Sequence, residues 1–301
     1  MNIVILGAGA IGSLFGGLLS KKNNVSLVGR KPHVQTITKN GLKIIGKTQL
    51  NVRISAEDSI SKVGFSPDLL ILSVKSYDTE TAIKEAKTII GDNTVVLSLQ
   101  NGLDNIEKIC KVVDKKNVVA GVTTHGVFFS KPGIIKHTGI GETFLGELNG
   151  KKTERIVNIV ECFNRVGIET IVSQDIIKEM WYKTIINSSI NSLTAIFQCK
   201  NGYLLRNQIL EKLVEKICKE STNIARTDGI GISYKNALEK TKEVIRITSE
   251  NQSSMFQSIR KGGRTEIESI NGKLVEIGKK YHIETLLNET LIYSVVGSLN
   301  K

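Results

Sequence analysis

Short apolar runs alternate with amphipathic stretches through the first half of the chain. Residues 3–6, 25–28, 68–74 (DLLILSV), 93–98 (NTVVLS) and 118–123 are compact hydrophobic runs, the length of buried strands. A helical pattern from about residue 10 to residue 20 follows the first run, and helical patterns also follow the runs at 68–74 and 93–98. Strand–helix alternation at this spacing predicts a parallel sheet with helices on both faces. The stretch 126–148 differs. GVFFSKPGIIKHTG and ETFLGEL, broken by Pro132-Gly133, predict antiparallel hairpins on the edge of that sheet.

After residue 171 the apolar period changes to three and four. Leu210, Leu213, Val214, Ile217 and Cys218 form one stripe, and Ile267, Ile270, Leu274 and Ile277 another. All three prolines (Pro32, Pro67, Pro132) lie before this change. The expected fold class is α/β: a doubly wound sheet domain over residues 1–170 and an all-helical domain over 171–301.

The composition narrows the class. A chain of 301 residues suits two cores better than one. With 40% hydrophobic and 23% charged residues and no apolar run near the roughly 20 residues of a membrane span, it reads as soluble and cytoplasmic. The opening MNIVILGAGA lacks a basic start, so it reads as a strand and not as a leader. Cys110, Cys162, Cys199 and Cys218 are scattered without a CxxC pair, which fits free thiols and no metal. The net charge of +12 is carried on dispersed lysine doublets with no basic block among aromatics, so no nucleic-acid or membrane partner is expected.

The chemistry starts at residues 5–12, ILGAGAIG. Gly7, Gly9 and Gly12 match GxGxxG directly after a strand and at the start of a helix, with Ala8, Ala10 and Ile11 between them. In that setting the glycines allow a tight turn, close approach to a pyrophosphate and close helix packing. The helix N-terminus offers N–H groups to the phosphate. The second strand ends in Val28-Gly29-Arg30 with no acid for a ribose hydroxyl. An arginine there suits a 2′-phosphate, so the expected cofactor is NADP(H) over NAD(H). Lys75 and Asn101 stand after the strands at 68–74 and 93–98, where such sheets bind ligands. Asn101, followed by Gly102, reads as a helix start or a ligand amide. His125 closes a later strand and is taken as structural and not as a proton donor.

In WYKTIINSSIN (181–191), Lys183, Asn187 and Asn191 recur every fourth residue. At about 100° per residue they span about 80° of one helix face, which Met180, Ile176, Ile177 and Ile190 share or flank. Polar groups on a half-buried face need partners or a ligand, and one cation with two amides suits a small keto acid. Ser253 and Ser254 are candidate caps of a helix near Met255. Glu266 is either an exposed first-turn acid or the partner that keeps Lys183 charged.

GAGAIG, SVKSYD, LQNG, TTHG, WYKTIINSSINSLTA, CKNG and SSMFQ…RTEIESINGKL together resemble the ketopantoate reductase family, in order and along almost the whole chain. The resemblance implies a Rossmann domain plus a helical domain, with the active site in the cleft. It implies an NADP-dependent oxidoreductase acting on a CH–OH group: a 2-dehydropantoate 2-reductase of pantothenate and coenzyme A biosynthesis. It makes Lys183 the proton donor and puts Asn101, Asn187, Asn191, Asn201 and Ser254 on the substrate. Glu266 falls at the position facing both cofactor and substrate, and Lys75, Asn101 and Val127 at further cofactor contacts. Family members are often dimers, so a homodimer is an allowed assembly. Two other readings stay open: a related 2-hydroxy-acid or opine-type dehydrogenase on the same architecture, and a non-catalytic NADPH-binding regulator. The set Lys183, Asn187, Asn191 and Glu266 argues against the regulator, because a sensor needs only the phosphate loop.

Overall fold

The computed structural model describes residues 1–299. Asn300 and Lys301, at the end of the expected helical domain, lie outside the described residues. The chain forms two compact units: Met1–Gln100 with Asn105–Ile177, and Asn101–Asp104 with Lys178–Lys301. The first extends past the expected boundary near 170, because Thr170–Val172 is still a strand of its sheet.

The strands of the first unit are β1 (Asn2–Leu6), β2 (Asn24–Val28), β3 (Leu42–Gly46), β4 (Leu50–Val52), β5 (Ser55–Glu57), β6 (Leu69–Leu72), β7 (Val95–Ser98), β8 (Val118–Thr123), β9 (Gly126–Lys131), β10 (Ile134–Gly139), β11 (Thr143–Glu147) and β12 (Thr170–Val172). Among the described residues, eight of them form one sheet in the order β12-β11-β8-β7-β6-β1-β2-β5. The pairings from β5 to β8 are all parallel. The helices are α1 (Ala10–Leu19), α2 (Lys31–Asn40), α3 (Thr79–Ala86), α4 (Asn105–Cys110) and α5 (Glu154–Asn164).

Alternate residues of one strand enter different cores. Ile3, Ile5, Leu69 and Ile71 pack with Phe15 and Phe163 of α1 and α5. Val4, Leu6, Leu70 and Leu72 pack with Ile83 of α3 and Ile109 of α4. Burial on both faces is why these strands read as unbroken apolar runs. β1 lies between β2 and β6, so strand order reverses there. The turns after β1 and β6 therefore leave the same carboxyl edge side by side, the place where such sheets bind ligands.

The hairpin expected on the edge of the main sheet lies elsewhere. β9 and β10 do pair antiparallel, with His137 opposite Val127, but they belong to a separate sheet, β4-β3-β10-β9. Only β11 of that stretch joins the main sheet, antiparallel to β8. The cause is a long-range parallel pairing of β10 with β3, which no local pattern announces.

The second unit contains most of α6 (Ile176–Ile196), then α7 (Tyr203–Arg206), α8 (Gln208–Thr227), α9 (Tyr234–Ile247), α10 (Ser254–Arg260), α11 (Lys273–Lys280) and α12 (Leu286–Leu299). Leu210, Val214, Ile217 and Cys218 form the buried stripe of α8, with Leu213 half-buried beside them. Ile267, Ile270, Leu274 and Ile277 are buried too, but their helical run contains a π turn at Glu268–Gly272. Asn207, Ser233 and Ser253 accept N–H bonds at the starts of α8, α9 and α10. No helix among the described residues is long and apolar enough to cross a membrane.

Leu70 is fully buried at the centre of β6. Leu70→Ala is expected to cost about 2–5 kcal/mol of stability through lost transfer energy and a residual cavity, read as a lower urea midpoint.

Candidate active site

The first unit offers a nucleotide cradle. Gly7 and Ala8 each donate their N–H to the carbonyl of Val28, at 2.9 and 2.8 Å, which fixes the loop to the end of β2. Gly7 has φ +109°, and a Cβ there would sit 2.4 Å from the Val74 nitrogen. A Cβ on Gly12 would sit 2.2 Å from the Gly7 oxygen. Both positions therefore need glycine, one for its conformation and both for space. Gly9 precedes α1 and has no side chain with which to cap it. A pyrophosphate fits there by dipole and by backbone donors.

The second turn of this edge is built against the first. Ser73 donates its hydroxyl to the Gly7 carbonyl at 2.9 Å, and Lys75 follows in extended backbone, half-buried. Behind it Gln100 gives its amide to the Val74 carbonyl at 3.0 Å and the Thr79 hydroxyl at 2.8 Å. Arg30 is exposed just beyond β2, preceding α2. Val127 is half-buried in β9 and packs on the core shared with α1. His125 is buried, with His137 Nε2 at 3.0 Å from its Nδ1. Burial, with the neighbouring His137 second, pushes its pKa down to about 4, so the ring is neutral at ordinary pH.

The second unit holds the polar face of α6. Lys183 and Asn187 are half-buried and Asn191 is buried. The helix satisfies its own hydroxyls: Thr184 donates to the Met180 carbonyl at 2.9 Å, Ser188 to Ile185 at 2.8 Å and Thr194 to Ile190 at 2.6 Å. Among the described residues the carboxamides of Asn187 and Asn191 have no hydrogen-bond partner, so they are available to a ligand.

Glu266 is buried at 6% exposure, which removes the reading of it as an exposed first-turn acid. Asn101 donates its amide to Glu266 Oε2 at 3.4 Å. Asn101 lies in a bend and does not begin a helix, since α4 starts at Asn105. Loss of hydration pulls the Lys183 pKa down from 10.5 to about 8, and the charge of Glu266 opposes the fall. The result is an ammonium that gives up its proton more readily than an exposed lysine.

Asn201 and Ser254 close the set. The Asn201 N–H donates to the Asn251 carbonyl at 3.0 Å and its side-chain amide to Thr248 Oγ1 at 2.9 Å. Its Oδ1 is buried without a partner, an acceptor that suits a hydroxyl donor. Ser253, not Ser254, caps α10, accepting from Phe256 N–H at 3.1 Å, and its own hydroxyl lies 2.7 Å from Thr194 Oγ1. Ser254 is thereby left half-buried at the first position of the helix. Two neighbours escaped sequence reasoning. Thr265 Oγ1 is buried and unpartnered beside Glu266, and the π turn follows directly. No compositional signal marks either. Among the described residues no group of three or more His, Cys, Asp or Glu side chains could hold a metal.

The first unit has a glycine cradle at a sheet switch point and the second a half-buried lysine flanked by amides, features that fit a dinucleotide-dependent oxidoreductase. The chain belongs to the ketopantoate reductase family: residues 3–150 match the family model "Ketopantoate reductase PanE/ApbA", and residues 175–298 match its C-terminal counterpart. It is 43% identical to the 2-dehydropantoate 2-reductase of Pyrococcus horikoshii, over 96% of this chain and 94% of that one. In structure it is similar to a PanE/ApbA family ketopantoate reductase from Ralstonia eutropha, with a TM-score of 0.92 and 29% identity over 100% of this chain and 99% of that one. It is equally similar to D-mandelate dehydrogenase in its ternary structure with NADH and anilino(oxo)acetate, with a TM-score of 0.93 and 26% identity over 100% and 99%.

Gly12→Ala is expected to weaken binding of a reduced nicotinamide dinucleotide by at least about tenfold, because the loop must open to admit the methyl group. Titration of the cofactor's fluorescence checks it, with the circular dichroism spectrum unchanged.

Proposed function

We propose that this chain reduces 2-dehydropantoate to (R)-pantoate with NADPH, a step towards pantothenate and coenzyme A. The observation that carries the reading is the half-buried Lys183, held beside Glu266 on a face with two available amides. The match to curated 2-dehydropantoate 2-reductases over nearly the full chain supports the substrate. Arg30, at a strand end that carries no acid, supports the 2′-phosphate form of the cofactor.

The bound cofactor supplies a hydride to the C2 carbonyl carbon. As the C=O π bond breaks, its electron pair moves to oxygen. Lys183 donates a proton to that oxygen, which joins general acid catalysis to stabilisation of the developing charge. Asn187 and Asn191 orient the carboxylate and carbonyl through their N–H groups. Asn201 Oδ1 and Ser254 take the substrate hydroxyl. Glu266 keeps Lys183 protonated, and Asn101 holds the Glu266 carboxylate. Gly7 to Gly12, through Ala8, Ala10 and Ile11, cradle the pyrophosphate, with Lys75 and Val127 along the rest of the nucleotide.

The likeness to NADH-bound D-mandelate dehydrogenase supports a second reading, a 2-hydroxy-acid dehydrogenase that uses NADH. Turnover of a panel of 2-keto acids, with and without the branched hydroxymethyl group, separates the two.

Lys183→Ala should lower kcat at least about 10²-fold with NADPH affinity nearly unchanged. In the wild type, kcat/KM for reduction should fall as pH rises through about 8, because the ammonium form is the donor. Near-normal turnover in the alanine variant overturns the role. Arg30→Asp should abolish the preference for NADPH over NADH, and wild-type kcat/KM that is equal for the two cofactors refutes it.

A further inference from the structure

The helical unit contains a short element that touches no proposed substrate group yet contacts the segments that carry them. It is the π turn Glu268–Gly272, which begins two residues after Glu266. Single π turns inside helices occur often at functional sites, where the widened turn re-aims its neighbours.

One side of the turn holds the Asn101–Asp104 bend, which belongs to the same unit. The Leu103 N–H donates to the Ser269 carbonyl at 3.3 Å, and the Ser269 hydroxyl donates to Asp104 Oδ2 at 3.0 Å. Gly102 has φ +96°, and a Cβ there would sit 2.6 Å from the Ser269 oxygen. The bend therefore packs backbone to backbone against the turn, which only glycine permits. Ser269 is buried and Asp104 half-buried, so their bond is a charge-assisted contact in a part-buried setting. The opposite side of the turn holds α6. Asn271 donates its amide to the Ser188 carbonyl at 3.0 Å, between Asn187 and Asn191, and to Asn288 Oδ1 at 2.9 Å.

Glu266 is thus set from two directions. Its own backbone carbonyl accepts the Ile270 N–H at 3.1 Å, and its carboxylate accepts the Asn101 amide from the bend. If the bend lifts, Asn101 leaves Glu266. If the turn shifts against α6, the distance from Glu266 to Lys183 changes.

We propose that Ser269 and Asp104 are positioning residues: their hydrogen bond seats the Asn101–Asp104 bend on the π turn and so fixes the Glu266 carboxylate relative to the Lys183 ammonium. Neither touches substrate in this scheme; both act through Asn101 and Glu266. The inference rests on the reading of Lys183 as the proton donor. Because the Glu266 charge holds the ammonium form up against burial, a displaced Glu266 lets Lys183 lose its proton at lower pH.

The test is the pH profile of kcat/KM for ketopantoate reduction, measured on the full chain for Ser269→Ala, Asp104→Ala, the double variant, Ser269→Thr, Asp104→Asn and Lys183→Ala. Both single alanine variants are expected to move the alkaline limb down by at least about half a pH unit, and the double variant no further than either. Ser269→Thr and Asp104→Asn, which keep a donor and an acceptor, should restore the limb. An unmoved limb in a cooperatively folding Ser269→Ala or Asp104→Ala protein overturns the proposal. So does loss of the fold in both, which would make the pair a packing contact. Lys183→Ala separates the two levels: if an alkaline limb survives in that variant, the reading of Lys183 is what fails.

Discussion

A lysine ammonium taken out of water loses more hydration than one neighbouring carboxylate restores, and the second unit is arranged around that imbalance. Burial alone favours neutral Lys183, while the Glu266 charge favours the ammonium. Their balance leaves the group near pH 8 rather than 10.5. A group poised there is charged at neutral pH yet gives up its proton more readily than an exposed lysine, which suits the proposed role of general acid. Neither residue can be moved alone. Removing Glu266 would leave the half-buried ammonium without that counter-charge, and removing Lys183 would take a cation away from a buried carboxylate.

The surrounding polar groups follow from this requirement. Hydroxyls along α6 bond back to its own carbonyls, so the helix carries a serine- and threonine-rich interior without exposing donors to the core. The amides of Asn187 and Asn191 are left over because no such local acceptor takes them. Glu220 accepts the Leu287 and Asn288 N–H groups at 3.0 and 2.9 Å at the start of α12, and Asn288 in turn meets Asn271 of the π turn. A connected polar network of this kind ties α6, the π turn and the start of α12 together.

The sheet unit meets a different constraint. A pyrophosphate needs backbone donors within reach, so side chains must be absent where the chain turns. Gly7 and Gly12 meet it by sterics that can be stated in ångströms, and Ser73 braces the turn from the neighbouring strand. Apolar residues on both faces of the parallel strands supply the rigid base from which these turns leave.

Much of this was legible in the sequence because it is local. Strand runs, glycine spacing, the period of α8 and the four-residue recurrence of Lys183, Asn187 and Asn191 each depend on residues a few positions apart. The motif order also carried the resemblance to the ketopantoate reductase family. Tertiary structure decided what depends on distant partners. The hairpin β9–β10 left the main sheet because β3 offered a parallel partner, and the bend at Asn101 joined the helical unit because the π turn lay against it. Glu266 could be read from sequence as exposed or buried; only packing made it buried, since solvation is set by whatever surrounds a group and not by its own position in the chain. The sequence determined which groups could do chemistry, and the fold determined which of them lost water, because local pattern fixes identity and spacing while desolvation is a property of the assembled core.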